Sequence, residues 1–435
     1  MDFPAALRYL DEHVNLEATA GRVEGLSLER MRALVHILGD PQHAYPVIHL
    51  TGTNGKGSTA RMIATLLREA GLSVGLYTSP HLETINERLM WDGLPIPDDD
   101  FATLISDLAA LEPMLELRPS YFELLTAAAF RWFAELAVDV AVVEVGLLGR
   151  YDATNVCDAR VAVLTNVGSD HTDRVGDWRR RIAEEKSGIV KPDSTFVLGE
   201  DDPELADLFA RVPAAETWVR GVQFDVVENE LALGGRLLTL RTPERTVDDI
   251  FLPVHGAHQA DNAALALAAT EAFFGSGLDD DAVRTGFAQL ALPGRFEVVH
   301  REPTVVLDGA HNPDGAEAAA RTLAEEFTLS GTLVMVVGLL QGRDPEEMLR
   351  ALGADQAGVV VACTPPSPRA IPSTELAAAA DAMGVAVEVV PDVASAVQRA
   401  LALATTDDLV LVTGSLYVVG AARTALTQME EDPSW

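Results

Sequence analysis

Lysine is nearly missing from this chain of 435 residues: of its 32 basic residues three are lysines, Lys56, Lys186 and Lys191. Basic charge of either kind is short, because 66 acidic residues bring the formal net charge to −34. Such a field repels nucleic acid and anionic lipid, so neither is expected as a partner. With only two cysteines, Cys157 and Cys363, the chain lacks the material for a disulfide framework or a metal knuckle. No basic segment precedes an apolar one near the start, and no run of about 18 apolar residues occurs. Neither a signal peptide nor a membrane helix is therefore expected, and the cytoplasm is the expected location. What is present is a composition 48% hydrophobic and 23% charged, enough to fill more than one core. The lysine shortage has two readings, arginine-favouring base composition or an acidic surface suited to a salt-rich cytoplasm. Under both, the few lysines that remain call for individual attention.

Short apolar runs at 45–51, 73–78, 138–145 and 161–167 read as strands buried on both faces, and 58–70, 99–111 and 121–136 carry helical spacing between them. That alternation predicts an α/β fold with a doubly wound parallel sheet. Residues 222–252 depart from it, with Gly234-Gly235 between two alternating runs, and predict a small antiparallel region. A helix over 258–275 closes the unit. The alternation restarts with strands at 304–308, 332–338, 358–363, 386–390 and 408–413. The expected organisation is an N-terminal domain, 1–290, a linker, 291–297, and a second α/β domain of Rossmann-like type, 298–435.

Four segments carry chemistry. In HLTGTNGKGSTARMIATLLREAG, 49–71, a strand, a glycine turn and an amphipathic helix follow one another. Backbone N–H groups, the positive end of the helix and Lys56 then converge on one point, which suits a polyphosphate. The general G-x-x-x-x-G-K-[ST] pattern is not met, since Leu50 stands at its first glycine and Gly57 follows the lysine. In AVVEVGLLGRYDATNV, 141–156, Glu144 ends a strand at a sheet edge, where a water-exposed acid and a metal ligand are both open readings. The polar loop after it brings Arg150 and Asp152. In the third segment, 164–192, His171 follows another strand end and Lys186 lies late in the next helix. The fourth, DGAHNPDGAEAA at 308–319, sets Asp308, His311 and Asn312 at a strand-to-helix turn, with Pro313 suited to the first helical turn. Arg295, in the linker, is placed to reach a phosphate from between the domains.

Taken in order, GTNGKGST, YTSPHL (77–82), EVGLLGRYDATN, EEKSGIVKP, HQADNAA (258–264), LPGRFE, DGAHNP and VTGSLYVVGAAR (412–423) resemble the folylpolyglutamate synthase/dihydrofolate synthase family of the Mur ligase superfamily. The resemblance implies an N-terminal P-loop ATPase domain and an ATP-dependent ligase. ATP would phosphorylate a pteroate or folate carboxylate, and the amine of L-glutamate would displace the phosphate. It implies that Asn54, Gly55, Lys56, Gly57 and Ser58 hold the ATP phosphates, while Asn262, Arg295, Asp308 and His311 complete the nucleotide site. It implies Mg²⁺ on Ser79, Glu144 and His171, with Ser58 a further possible ligand, and a CO2-derived carbamate on Lys186. Lys56, Lys186 and His171 would be the catalytic residues. The dihydropteroate or folate would lie against Leu26, Ser27, Leu28, the segment Ser120, Tyr121, Phe122 and Glu123, and Arg150, Asp152 and Ala153. A monomer is implied. Three departures stand out: Leu148 and Tyr151 replace a more usual Gly and Leu, Ser27 replaces a frequent Gly, and Arg343 takes the place of a Lys.

Two other readings stay open at this stage. Another Mur-type ligase would join an amino acid to a different carboxylate. A P-loop kinase or switch protein would need neither the second α/β domain nor its DGAHNP turn.

Overall fold

The computed structural model describes residues 1–15, 27–168 and 176–430. Its largest sheet has eight strands, in the spatial order Leu94–Pro95, Leu89–Trp91, Val74–Tyr77, Val140–Glu144, Val47–Thr51, Ala159–Leu164, Thr195–Leu198 and Glu216–Val219. The last six are parallel, and the first two form an antiparallel edge. Val47–Thr51 and Val140–Glu144 are buried along their whole length, which is why they read as unbroken apolar runs. Ile48 and Leu50 face the helices Lys56–Glu69 and His258–Phe274, while Val47, Ala141 and Val143 face Phe3–Asp11, Glu29–Ile37, Asp98–Leu111 and Tyr121–Glu135. The chain leaves Val47–Thr51 towards one side of the sheet and later returns to its other side. The switch point therefore falls beyond the carboxyl end of that strand, where open α/β sheets bind ligands.

The predicted antiparallel region is a three-stranded sheet, Asp225–Ala232, Gly235–Arg241 and Thr246–Leu252, turning at Gly234 with φ +76°. Its buried face, with Leu238, Leu240, Val247, Ile250 and Leu252, joins the core on the His258–Phe274 side. The second α/β unit has six strands in the order Glu297–Arg301, Thr304–Leu307, Leu409–Thr413, Leu333–Val337, Val359–Ala362 and Val387–Val389. All run parallel except the first pair, Glu297–Arg301 with Thr304–Leu307. The architecture is thus mixed α/β with two mostly parallel sheets, as the alternation of elements predicts. The strand Thr195–Leu198, the edge strands Glu216–Val219 and Glu297–Arg301, and the helix Asp280–Ala288 were not expected. They are short, and the exposed ones lack the continuous apolar character that marks the central strands. No described helix is long and apolar enough to cross a membrane.

One seam between the two units is built on charge. Glu326 closes the helix Pro313–Glu326 and accepts from Arg236 Nη1 of the antiparallel sheet at 2.5 Å, from the Gly256 N–H at 2.9 Å and from His255 Nδ1 at 2.8 Å. Burial alone would push this carboxyl up, but the His255 and Gly256 hydrogen bonds and Arg236 outweigh it, holding the pKa below the usual carboxylate range. A depressed carboxyl stabilises the fold above its unfolded-state pKa, and that contribution disappears as the pH falls through the folded-state value. Glu326→Gln is expected to cost about 1–3 kcal/mol at neutral pH, read from urea unfolding. The deficit should shrink as the pH is lowered below about 4, because wild type then loses the same charge.

Candidate nucleotide and ligase site

The strand Val47–Thr51 ends in the turn Gly52 to Gly55, and a helix begins at Lys56. Gly55 has φ +81°, and a Cβ there would sit 2.4 Å from Asn262 Oδ1. Only glycine accommodates both conditions. Gly55→Ala is accordingly expected to destabilise the chain by about 1–3 kcal/mol in urea unfolding.

The turn is braced by its neighbours. The Asn54 N–H donates to Asn166 Oδ1 at 2.9 Å, while Asn166 Nδ2 at 3.1 Å and Thr165 Oγ1 at 2.6 Å donate to the Asn54 carbonyl. From the second unit, Asn312 Nδ2 donates to Asn54 Oδ1 at 2.9 Å. Asn312 is itself fully buried and caps the helix Pro313–Glu326 through Gly315 N–H. The first unit thereby fixes the backbone of the turn, and the second holds the Asn54 side chain.

Two of the three lysines meet at this turn. Lys56 Nζ donates to the carbonyls of Gly52 at 3.1 Å and Thr53 at 3.2 Å. Lys186, near the end of the helix Trp178–Ser187, is buried and donates to the same Gly52 carbonyl at 2.6 Å. The third, Lys191, donates to Asn155 Oδ1 at 2.8 Å and pins the loop after Glu144.

Glu144 is 4% exposed, so the water-exposed reading fails. Its Oε2 accepts from the Ser79 N–H at 3.1 Å and lies 3.5 Å from where a Cβ on Gly57 would stand. Burial pushes its carboxyl above the usual range, against the opposing pull of Lys56, Ser79 N–H, Arg295 and Arg61. Ser58, Ser79 and Glu144 line one wall of the same cleft. An all-oxygen set of one carboxylate and two hydroxyls suits a hard divalent cation completed by phosphate oxygens. Among the described residues no three acids, histidines or cysteines cluster as a self-sufficient metal site. His171 lies outside the described residues.

The cleft, of about 520 Å³, runs between the two α/β units. Asn54, Gly55, Lys56, Gly57, Ser58, Asn262, Arg295, Asp308 and His311 all line it. Asn262 Nδ2 donates to Gln259 Oε1 at 2.9 Å. Asp308 accepts from Ala310 N–H and Phe296 N–H, both at 3.0 Å. Burial raises its pKa, and Arg295 opposes this. His311 Nδ1 donates to the Gly309 carbonyl at 2.9 Å, and its own carbonyl accepts from Arg343 Nε at 2.7 Å. Sequence reasoning missed Thr165, Asn166, Arg179 and Arg220, which also line the cleft. The TN that follows the strand Ala159–Leu164 was the available signal for the first two.

The residues proposed for the pteroate side lie outside that cleft. Leu26 falls outside the described residues, Ser27 is exposed and Leu28 buried. Ser120 and Glu123 form a capping box at the start of Tyr121–Glu135, and Glu123 also pairs with Arg30 at 3.1 Å. Tyr121 is buried, and Phe122 packs between Tyr77 and Gly146. Asp152 accepts from Leu147 and Thr154 and is pushed by burial up to about 6, with Ala153 buried beside it. Arg150 donates to the Glu184 carbonyl at 3.0 Å and pairs with Glu185 at 3.6 Å, so it joins no cationic cluster with Lys56 and Arg295. Leu148, where the family more often has glycine, has φ +59°, a left-handed conformation that explains that preference.

Against known protein families, residues 50–270 match the Mur ligase middle domain and residues 294–416 the Mur ligase glutamate ligase domain. The dihydrofolate synthase/folylpolyglutamate synthase of Mycobacterium tuberculosis is 41% identical over 438 residues, covering 92% of this chain and 89% of that protein. This chain belongs to the folylpolyglutamate synthase/dihydrofolate synthase family of Mur ligases. The crystal structure of M. tuberculosis folylpolyglutamate synthase with ADP and AMPPCP aligns with a TM-score of 0.89 and 40% identity, covering 97% of this chain and 98% of that one. The bifunctional enzyme of Yersinia pestis, solved with AMPPNP and a Mn ion, aligns with a TM-score of 0.85 and 32% identity over 98% of both chains. The two matched Mur ligase segments meet across the cleft, where Asn54 of one bonds Asn312 of the other.

Proposed function

We propose that this chain is an ATP-dependent ligase that joins L-glutamate to dihydropteroate and to folate mono- or polyglutamates, releasing ADP and phosphate. The observation that carries the reading is the convergence of Lys56 and Lys186 on one glycine turn that both α/β units brace, with Glu144 set against Gly57 of the helix that follows. In this reading the ATP phosphates lie along Asn54 to Ser58, where N–H groups, the helix end and Lys56 neutralise the transferring phosphoryl group. Asn262, Arg295, Asp308 and His311 line the remainder of the nucleotide path. The γ-phosphoryl passes to the substrate carboxylate, forming an acyl phosphate. The amine of glutamate then attacks the carbonyl carbon, phosphate leaves with the electron pair of the C–O bond, and the nitrogen releases a proton as the amide forms.

The oxygen donors of Glu144, Ser58 and Ser79 fit a divalent cation, with Mg²⁺ the proposed one and His171 a further ligand by family resemblance. When bound, it supplies positive charge opposite the phosphate oxygens. Lys186 is proposed to carry a carbamate, a change from cation to anion that requires its amine to lose a proton, and burial beside the turn favours that loss. The pteroate or folate is proposed to lie against the Leu26 to Leu28 and Ser120 to Glu123 segments and the loop from Arg150 to Ala153. A monomer in a reducing cytoplasm is proposed as well, and two free, buried cysteines support the compartment. The proposed boundary between domains is the segment 291–297.

The test is ADP release with Mg²⁺, ATP and glutamate, offering dihydropteroate, a folate monoglutamate and UDP-linked muramyl precursors in parallel. Turnover with either pterin is expected. Turnover with the muramyl precursor alone would make this a Mur ligase of another specificity, and turnover with none would overturn the ligase reading.

A further inference from the structure

Arg61 projects from the helix Lys56–Glu69 into a second, smaller chamber of about 60 Å³, adjoining the nucleotide cleft. The chamber is walled by Arg61, Arg295, Ser79, Glu87, Leu292 and Leu416, so the first unit, the connecting segment and the second unit all contribute. It shares Ser79, Glu144 and Arg295 with the cleft.

Arg61 is partly buried there, yet among the described residues its guanidinium makes one hydrogen bond, from Nη1 to the sulfur of Met90 at 3.6 Å. A thioether is a weak acceptor for a group with five N–H donors. Neither nearby acid accepts a hydrogen bond from Arg61. Glu87 accepts from the N–H groups of Leu82, Glu83 and Thr84 at 2.8–2.9 Å, and Glu144 accepts from Ser79 N–H. Burial lowers the Arg61 pKa, an effect that Glu87 and Glu144 oppose and Arg295 reinforces. A guanidinium whose one hydrogen bond goes to a thioether keeps donors available for an incoming oxyanion.

We propose that Arg61, supported by Arg295, binds a carboxylate group of a substrate and positions it beside the transferring phosphate. Guanidinium recognises carboxylate through two parallel N–H···O bonds. The chamber holds a few water volumes, room for a carboxylate but not for a pterin ring. Two substrates of the proposed reaction carry such a group, the free amino acid and the pteroate or folate acceptor, and the inference rests on that ligase reading.

The experiment compares wild type, Arg61→Met and Arg61→Lys, measuring KM for ATP, glutamate and the acceptor separately, with ADP binding by calorimetry as a check on the nucleotide site. Arg61→Met is expected to raise KM for one carboxylate substrate about tenfold to a hundredfold, with ADP binding and KM for ATP within twofold of wild type. Arg61→Lys should recover part of the loss, since it restores charge without the fork. A rise for glutamate assigns the chamber to the amino acid, and a rise for the acceptor assigns it to the pteroate side. Unchanged KM values, or a loss of ADP binding in parallel, would overturn the assignment. A wild-type chain that releases no ADP with any acceptor overturns both readings, whereas normal wild-type turnover with an unaffected Arg61→Met removes this one alone.

Discussion

Lys56→Met is expected to lower kcat by about 10²–10³ while the chain stays folded. The lysine opens the helix Lys56–Glu69, where its charge adds to the positive helix end and to the N–H groups of the turn. Its present partners are the carbonyls of Gly52 and Thr53, so methionine of similar length loses two hydrogen bonds at a partly exposed site. That structural loss is modest, about 1–2 kcal/mol, and the turn keeps its braces from Thr165, Asn166 and Asn312. Phosphoryl transfer depends on positioned cations more than on covalent help, so removing the lysine acts mainly on the transition state. ADP release at saturating substrates measures the effect, and a urea midpoint close to wild type separates it from unfolding. Turnover within tenfold of wild type would show that Lys56 is not the cation of the transferring phosphoryl group.

Lys186→Arg is expected to abolish turnover almost completely. A guanidinium keeps the positive charge but cannot form the carbamate proposed for this site. Lys186 is 5% exposed and its Nζ lies 2.6 Å from the Gly52 carbonyl, so the larger head also crowds a packed position. Two readouts separate the causes. ADP binding by calorimetry reports whether the glycine turn survives the crowding. Wild type incubated with ¹³C-bicarbonate should give a carbamate resonance that Lys186→Arg lacks. Normal turnover by the variant, or no such resonance in wild type, removes the carbamate from the mechanism.

The central strands and the glycine turn were legible because their information is local. Val47–Thr51 and Val140–Glu144 are continuous apolar runs, and a helix with apolar residues at helical spacing follows the glycines. The edge strands were harder, since one face and one side of each meet solvent and their composition approaches that of loops. On the substrate side, the same residues that family resemblance points to also have structural duties. Ser120 and Glu123 cap a helix, and Asp152 gathers the N–H groups of Leu147 and Thr154. Sequence patterns do not distinguish a cap from a contact, because both call for a short polar side chain at a turn.

Lysine scarcity by itself marked out three positions, the alternation of apolar runs and helical spacing indicated the α/β class, and the order of motifs indicated the family. Only the tertiary structure decided what each lysine touches: Lys56 and Lys186 share the Gly52 carbonyl, and Lys191 holds Asn155. It likewise set Arg150 against the end of the helix Trp178–Ser187, and gave Arg61 a chamber shared with Arg295. Asn54 meets Asn166 and Asn312 across 112 and 258 residues of chain. Contacts of that span leave no periodic trace in the sequence, because they depend on how two sheets and their helices pack together, and packing follows the volume and shape of whole layers.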